Sequence, residues 1–141
     1  MILYIDTSVL VAAHTAERRT SDVQSWLELK RAGALAISAW VVAEFSAALA
    51  KKQRIREIDA SYRAYALGEF HRVVLASMEV LDVKGATFHL AARFAEDYAT
   101  GLRAGDALHL AIASEHGASL HTLDERLAAV GPRLGVQAVL L

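Results

Sequence analysis

The chain has 141 residues, 55% of them hydrophobic, with 16 Asp and Glu against 15 Lys and Arg, a formal charge of −1, and no cysteine. That length suits a single domain spanning 1–141 that buries its core unaided, and the missing thiols exclude disulfides, cysteine-held zinc and thiol catalysis. The near-neutral charge excludes polyanion binding through a broad basic face alone, and no uncharged run reaches the ~20 residues of a membrane helix, so a soluble, cytoplasmic protein is expected.

Residues 2–5 are the first predicted strand, and Asp6 follows directly, at the carboxyl end where open α/β sheets bind ligands. Asp6, Thr7 and Ser8 offer three capping side chains to a helix over 9–13, so one of them is free for other work. A second helix is predicted over 22–31, where Val23, Trp26, Leu27 and Lys30 follow helical spacing. Strand 35–38 leads into a helix over 39–53 that is apolar almost all round and expected to be buried. Glu44 lies on it with Trp40, Val41, Ala47 and Ala48 as its helical neighbours, none able to pair with a carboxylate. The basic run 51–56 closes this helix, where cations suit the dipole in any case.

A longer helical arm follows over 55–76, whose Ile58, Tyr62, Tyr65 and Phe70 would cover the core or a partner. Strand 80–83 precedes helices over 85–100 and 106–116, stopped by Gly101 and Gly117. Asp106 opens the second of these with His109 three residues on, on the same face and expected to be a core or supporting hydrogen-bonding group. Strand 119–122 is followed by Asp124 and a short helix over 125–130, then by Pro132 and a last strand over 136–140. Strands alternating with helices predict an α/β fold around a central parallel sheet of about five strands.

Each of Asp6, Asp106 and Asp124 has an ordinary explanation as a helix cap, and Glu44 as a solvent-facing residue. Yet two lie at strand ends and two on helices that pack beside them, all predicted near one sheet edge. Four carboxylates share a site only with cations. An oxygen-only ligand set suits Mg²⁺ or Mn²⁺, and the reaction class that follows is phosphodiester hydrolysis.

The ordered set Ile5-Asp6-Thr7-Ser8, Ser38-Ala39-Trp40-Val41-Val42-Ala43-Glu44-Phe45, Gly105-Asp106-Ala107-Leu108-His109-Leu110-Ala111 and Leu120-His121-Thr122-Leu123-Asp124 resembles a PIN domain of the VapC toxin type, across the whole chain. That resemblance implies a PIN-like fold with Asp6, Glu44, Asp106 and Asp124 as the acidic quartet that holds the metal, supported by Ser8 and Thr122. It also implies an endoribonuclease that cuts structured RNA, is silenced by a cognate VapB-like antitoxin and forms homodimers. Asp97 and Glu125 are acids outside the pattern, and Arg103 and Arg126 stand close enough to the matched acids to touch RNA phosphate or pair a carboxylate.

Two readings compete. A catalytically silent PIN-like module would bind RNA or protein through the same fold. A phosphatase forming an aspartyl phosphate on Asp6 would want a second Asp two residues on, where Ser8 stands. Nucleotide binding is weaker again, because no Gly-rich phosphate loop follows the first strand.

Overall fold

In the computed structural model, which describes residues 1–141, five short strands form one parallel sheet in the order β3-β2-β1-β4-β5. They are β1 (Leu3–Ile5), β2 (Leu35–Ser38), β3 (Glu79–Leu81), β4 (Ser119–Thr122) and β5 (Ala138–Leu140). Tyr4 of β1 is in register with Ala36 on one side and Leu120 on the other. The inner strands are buried without alternation because helices cover both faces of the sheet. Tyr4, Ile5, Ile37 and Leu120 are fully buried. The chain moves outward from β1 to β3 and then crosses back to β4, so the connections that leave β1 and β4 run to opposite sides of the sheet. Such a switch point leaves a crevice where α/β sheets place their ligands.

The helices are α1 (Thr7–His14), α2 (Thr20–Glu28), α3 (Ala39–Arg54), α4 (Ala60–Glu69), the single turn α5 (Leu75–Ser77), α6 (Gly85–Ala95), α7 (Ala104–Glu115) and α8 (Glu125–Val130). The helix enclosed by protein is α7, buried without a break from Ala107 to Ala113. The expectation for α3 is corrected: it buries only Val41, Phe45 and Leu49, one stripe at four-residue spacing, and leaves Ala39, Ala43 and Ala47 exposed. Alanine carries too little apolar area to demand burial of a whole face.

Two long helices of the sequence reading are shorter in the structure. Residues 55–59 form a turn in which Arg56 takes a left-handed φ of 63°, and Asp59 caps α4 by accepting from the Tyr62 amide at 2.7 Å. α4 then passes through a π-turn (Phe70–Val74) into α5. α6 ends at Ala95, and Asp97, an acid outside the motif, caps a 3₁₀ turn (Tyr98–Thr100) before Gly101 turns left-handed at φ 65°. Phe70 belongs to the core, stacked on Phe45 with ring centres 4.2 Å apart, while Tyr62 and Tyr65 line an open groove of about 750 Å³ between α1, α2 and α4. The basic run at the end of α3 is partly spent: Lys52 pairs with Glu17 and Glu57 at 2.9 and 3.0 Å.

Two histidines are held neutral by this packing. His121 of β4 lies buried against Trp26 with neither ring nitrogen hydrogen-bonded, and His14 meets the edges of Phe45 and Phe70. Burial lowers both from the ordinary 6.5, with Lys30 adding to the shift at His121 and Glu69 opposing it at His14. The unfolded chain therefore takes up protons below about 6.5 that the folded one refuses, and stability falls as pH drops through that value. Thermal melts of parent and His121→Phe between pH 8 and 5.5 check this: the variant should lose less stability on acidification than the parent, and a variant whose profile runs parallel to the parent's contradicts it.

Candidate active site

The crevice between β1 and β4 is built on Asp6. With φ −79° and ψ 172°, Asp6 is extended, ends β1 and caps α1, its Oδ1 accepting from the Val9 amide at 3.4 Å. Only 4% of it is exposed. Ser8 donates its hydroxyl to Oδ1 and Thr122 donates its own to Oδ2, each at 2.6 Å. Both hydroxyls are themselves fixed by backbone amides, Ser8 accepting from Leu123 at 3.0 Å and Thr122 from Asp124 at 2.9 Å. The Asp6 carboxylate is thus aimed by two side chains that are held in turn. Burial pushes its pKa above the ordinary 3.8, against the lowering by nearby His109 and by the three hydrogen bonds.

Glu44 reaches the site from α3 and is about one-third exposed. The sequence expectation that nothing can pair with it holds along its own helix and fails across the fold. Its Oε1 accepts from Thr7 at 2.7 Å and is bonded to Nε2 of His109 at 2.5 Å. Burial pushes this carboxyl up, but the hydrogen bonds from His109 and Thr7, with the His109 charge, hold it below its ordinary value. Oε2 makes no hydrogen bond and lies 3.4 Å from where a Cβ would stand at Gly105. A side chain at that position would crowd it, so glycine lets the start of α7 come close.

Asp106 stands next to Gly105, half-buried in the first turn of α7, with one oxygen 3.4 Å from the Arg103 amide as a weak cap. Asp124 is exposed and caps α8, its Oδ1 accepting from the Leu127 amide at 3.0 Å. Both caps occupy one carboxylate oxygen and leave the other without a partner. Arg126 donates to the Gly101 carbonyl at 3.2 Å, and Arg103 is exposed at the start of α7. Glu125 is likewise exposed.

Asp6, Ser8 and Thr122 are therefore directly joined, Asp124 is joined to them through its amide, and Glu44 is linked to the same loop through Thr7. As placed, no three acidic or histidine side chains converge on one point as a bound ion requires. The donor chemistry nonetheless fits a small hard cation. Asp6 is a buried carboxylate whose hydrogen bonds come only from hydroxyls and an amide, and Glu44, Asp106 and Asp124 each keep an uncommitted oxygen. The sequence reading missed Thr7 and the pair Tyr4 and Ser38 behind His109. A phenol two residues before Asp6 in an otherwise apolar strand was the available signal.

A family model described as PIN domain matches residues 3–131. No curated protein matches the chain. Among solved structures, the fold is shared with FitAcB from Neisseria gonorrhoeae, at 17% identity and a TM-score of 0.72 over 97% of this chain and 96% of that one. It is also shared with the Mycobacterium tuberculosis toxin VapC20, described as cleaving the sarcin-ricin loop, at 16% identity and a TM-score of 0.73 over 92% and 95%. A complex of VapBC2 from Rickettsia felis with a promoter DNA fragment matches at 16% identity and a TM-score of 0.67 over 100% and 99%.

Proposed function

The chain belongs to the PIN-domain family, and on that premise we propose that it is a divalent-metal-dependent endoribonuclease, the toxin of a toxin–antitoxin pair. One observation carries the reading: a carboxylate 4% exposed at the sheet's switch point, aimed by two hydroxyls and paired with no Lys or Arg. A binding module would not need such a group, because a buried unpaired charge costs stability and adds nothing to a surface contact.

Asp6, Glu44, Asp106 and Asp124 would hold Mg²⁺ or Mn²⁺. When bound, the ion supplies positive charge that polarises the scissile phosphoryl group and acidifies water. Ser8 and Thr122 orient Asp6 by donating to its two oxygens, and Oδ2 accepts only the one hydrogen bond. Thr7 donates to one oxygen of Glu44. The exposed Asp124 and half-buried Asp106 border the opening, where a polyanionic strand would enter. The relatives solved as toxin–antitoxin complexes support an antitoxin partner for this chain, and a homodimer is proposed with it. No helix is long and apolar enough to cross a membrane.

The test is cleavage of a panel of structured RNAs by the purified chain, free of any partner. Cutting is expected with Mg²⁺ or Mn²⁺ and none in EDTA. Undiminished cutting in EDTA, with contaminating nuclease excluded, would sink the metal-dependent reading.

A further inference from the structure

A line of four side chains runs behind the site, and the function proposed above leaves most of it without a role. Ser38 caps α3, its Oγ accepting from the Val41 amide at 3.3 Å. The same Oγ is 2.9 Å from the Tyr4 hydroxyl, which is 2.8 Å from Nδ1 of His109, whose Nε2 meets Oε1 of Glu44. Tyr4 is fully buried and His109 is 3% exposed. Each member belongs to a different part of the sheet edge: the cap of α3, strand β1, helix α7, and Glu44 itself on α3.

The hydrogen bonds run through side chains from end to end. The Glu44 carboxylate accepts, so Nε2 of His109 donates to it. Burial pushes the Tyr4 phenol well above its ordinary value, so it stays protonated and can both donate and accept. Whether Nδ1 accepts from Tyr4 or donates to it, the phenol can answer and pass the opposite role to Ser38, so each polar atom of the line has a partner. The imidazole is thereby clamped from behind and has no freedom to turn away from Glu44.

We propose that His109 is a positioning residue that anchors Oε1 of Glu44, so that Oε2 stays presented to the first turn of α7, where Asp106 stands. The proposal rests on the metal-dependent reading of the site. It differs from a plain core role because the imidazole touches no backbone group through its nitrogens. Both are used between side chains, and the line ends on the only candidate ligand that comes from a helix interior. A glutamate side chain left without such an anchor has three rotatable bonds, and immobilising it at the moment of binding costs entropy.

The experiment is Mn²⁺ binding to the purified chain, read by electron paramagnetic resonance of the free ion, beside the Mn²⁺ dependence of RNA cleavage. His109→Leu should weaken Mn²⁺ binding by about 10–100-fold, the scale on which partners of metal ligands act. His109→Gln, whose amide can donate to Glu44 and accept from Tyr4, should recover most of it. The Mn²⁺ concentration for half-maximal cleavage should move in the same order, with a smaller change in rate at saturating ion. Where His109→Leu does not fold, His109→Asn replaces it, since its amide stops short of Glu44 and should show the same loss. Folded Leu or Asn variants that bind Mn²⁺ within twofold of the parent overturn the proposal alone. A parent that neither binds Mn²⁺ nor cuts RNA overturns the reading of the site as well.

Discussion

Asp6→Asn is expected to lower RNA cleavage by at least about 10²–10³-fold, the scale of losing one group that organises transition-state charge, while leaving the metal-free protein as stable as the parent or more so. The two halves come from the same feature. Asp6 is 4% exposed and its pKa is raised by burial, so the folded state binds its proton more tightly than the unfolded chain does. Stability from this group is full below the ordinary 3.8 and lost as pH rises through the folded value. At pH 7 to 8 the parent carries that cost and the amide does not. Against the gain stands one hydrogen bond, because the amide nitrogen cannot accept from the Thr122 hydroxyl as Oδ2 does at 2.6 Å. A net bond of this kind is worth about 1 kcal/mol. Melts in EDTA, with and without added Mn²⁺, separate the terms: the ion should stabilise the parent and barely move the variant. A variant that melts well below the parent in EDTA and still cuts RNA would make Asp6 a structural cap.

The second large effect is expected far from the acids, at Gly131. A Cβ there would lie 2.5 Å from the Cβ of Ala138 and 3.1 Å from the Val136 carbonyl, both fixed by the backbone. Neither neighbour can rotate aside, so β5 must shift. Gly131 also accepts from the Val136 amide at 2.9 Å, which ties the 3₁₀ turn (Gly131–Leu134) to the approach of β5. Overpacking of this kind costs roughly 1–3 kcal/mol. Gly131→Ala should lower the urea midpoint accordingly, with the slope of the transition unchanged. Because Thr122 of β4 is in register with Leu140 of β5, the variant should also lose activity near its transition region before the bulk of the structure melts. A midpoint equal to the parent's would show that β5 is held loosely.

The fold was legible wherever composition and period agree. Strands 35–38 and 119–122 and the helix 125–130 fall in the structure where the sequence places them, because each is a short segment bounded by a clear cap or turn. The long helical readings failed at backbone features that side-chain periodicity does not register: the left-handed Arg56, the cap at Asp59 and the π-turn after α4. α3 was misjudged because alanine counts as apolar in a pattern yet sits readily at a surface. At the site, Asp6 announces itself by its place at a strand end, while Ser8 and Thr122 enter the reading only through the family resemblance. The partners of Glu44 give no such sign, since Thr7 and His109 lie 37 and 65 residues away along the chain. No helical neighbour of Glu44 hints at either.

The central place of β1 sets the order in which the molecule can be finished. Asp6 is made before its second hydroxyl donor, Thr122, which comes 116 residues later. At ordinary translation speeds of about 5–20 residues per second, that gap lasts on the order of ten seconds. Throughout it, the first strand has an open edge where β4 belongs, and the carboxylate at its end remains in water, unaimed. Any product that stops short of β4 therefore lacks the Thr122 donor, however intact its Asp6, Glu44 and Asp106. The carboxylate at the switch point is aimed from both sides only once β4 has been made and has docked beside β1.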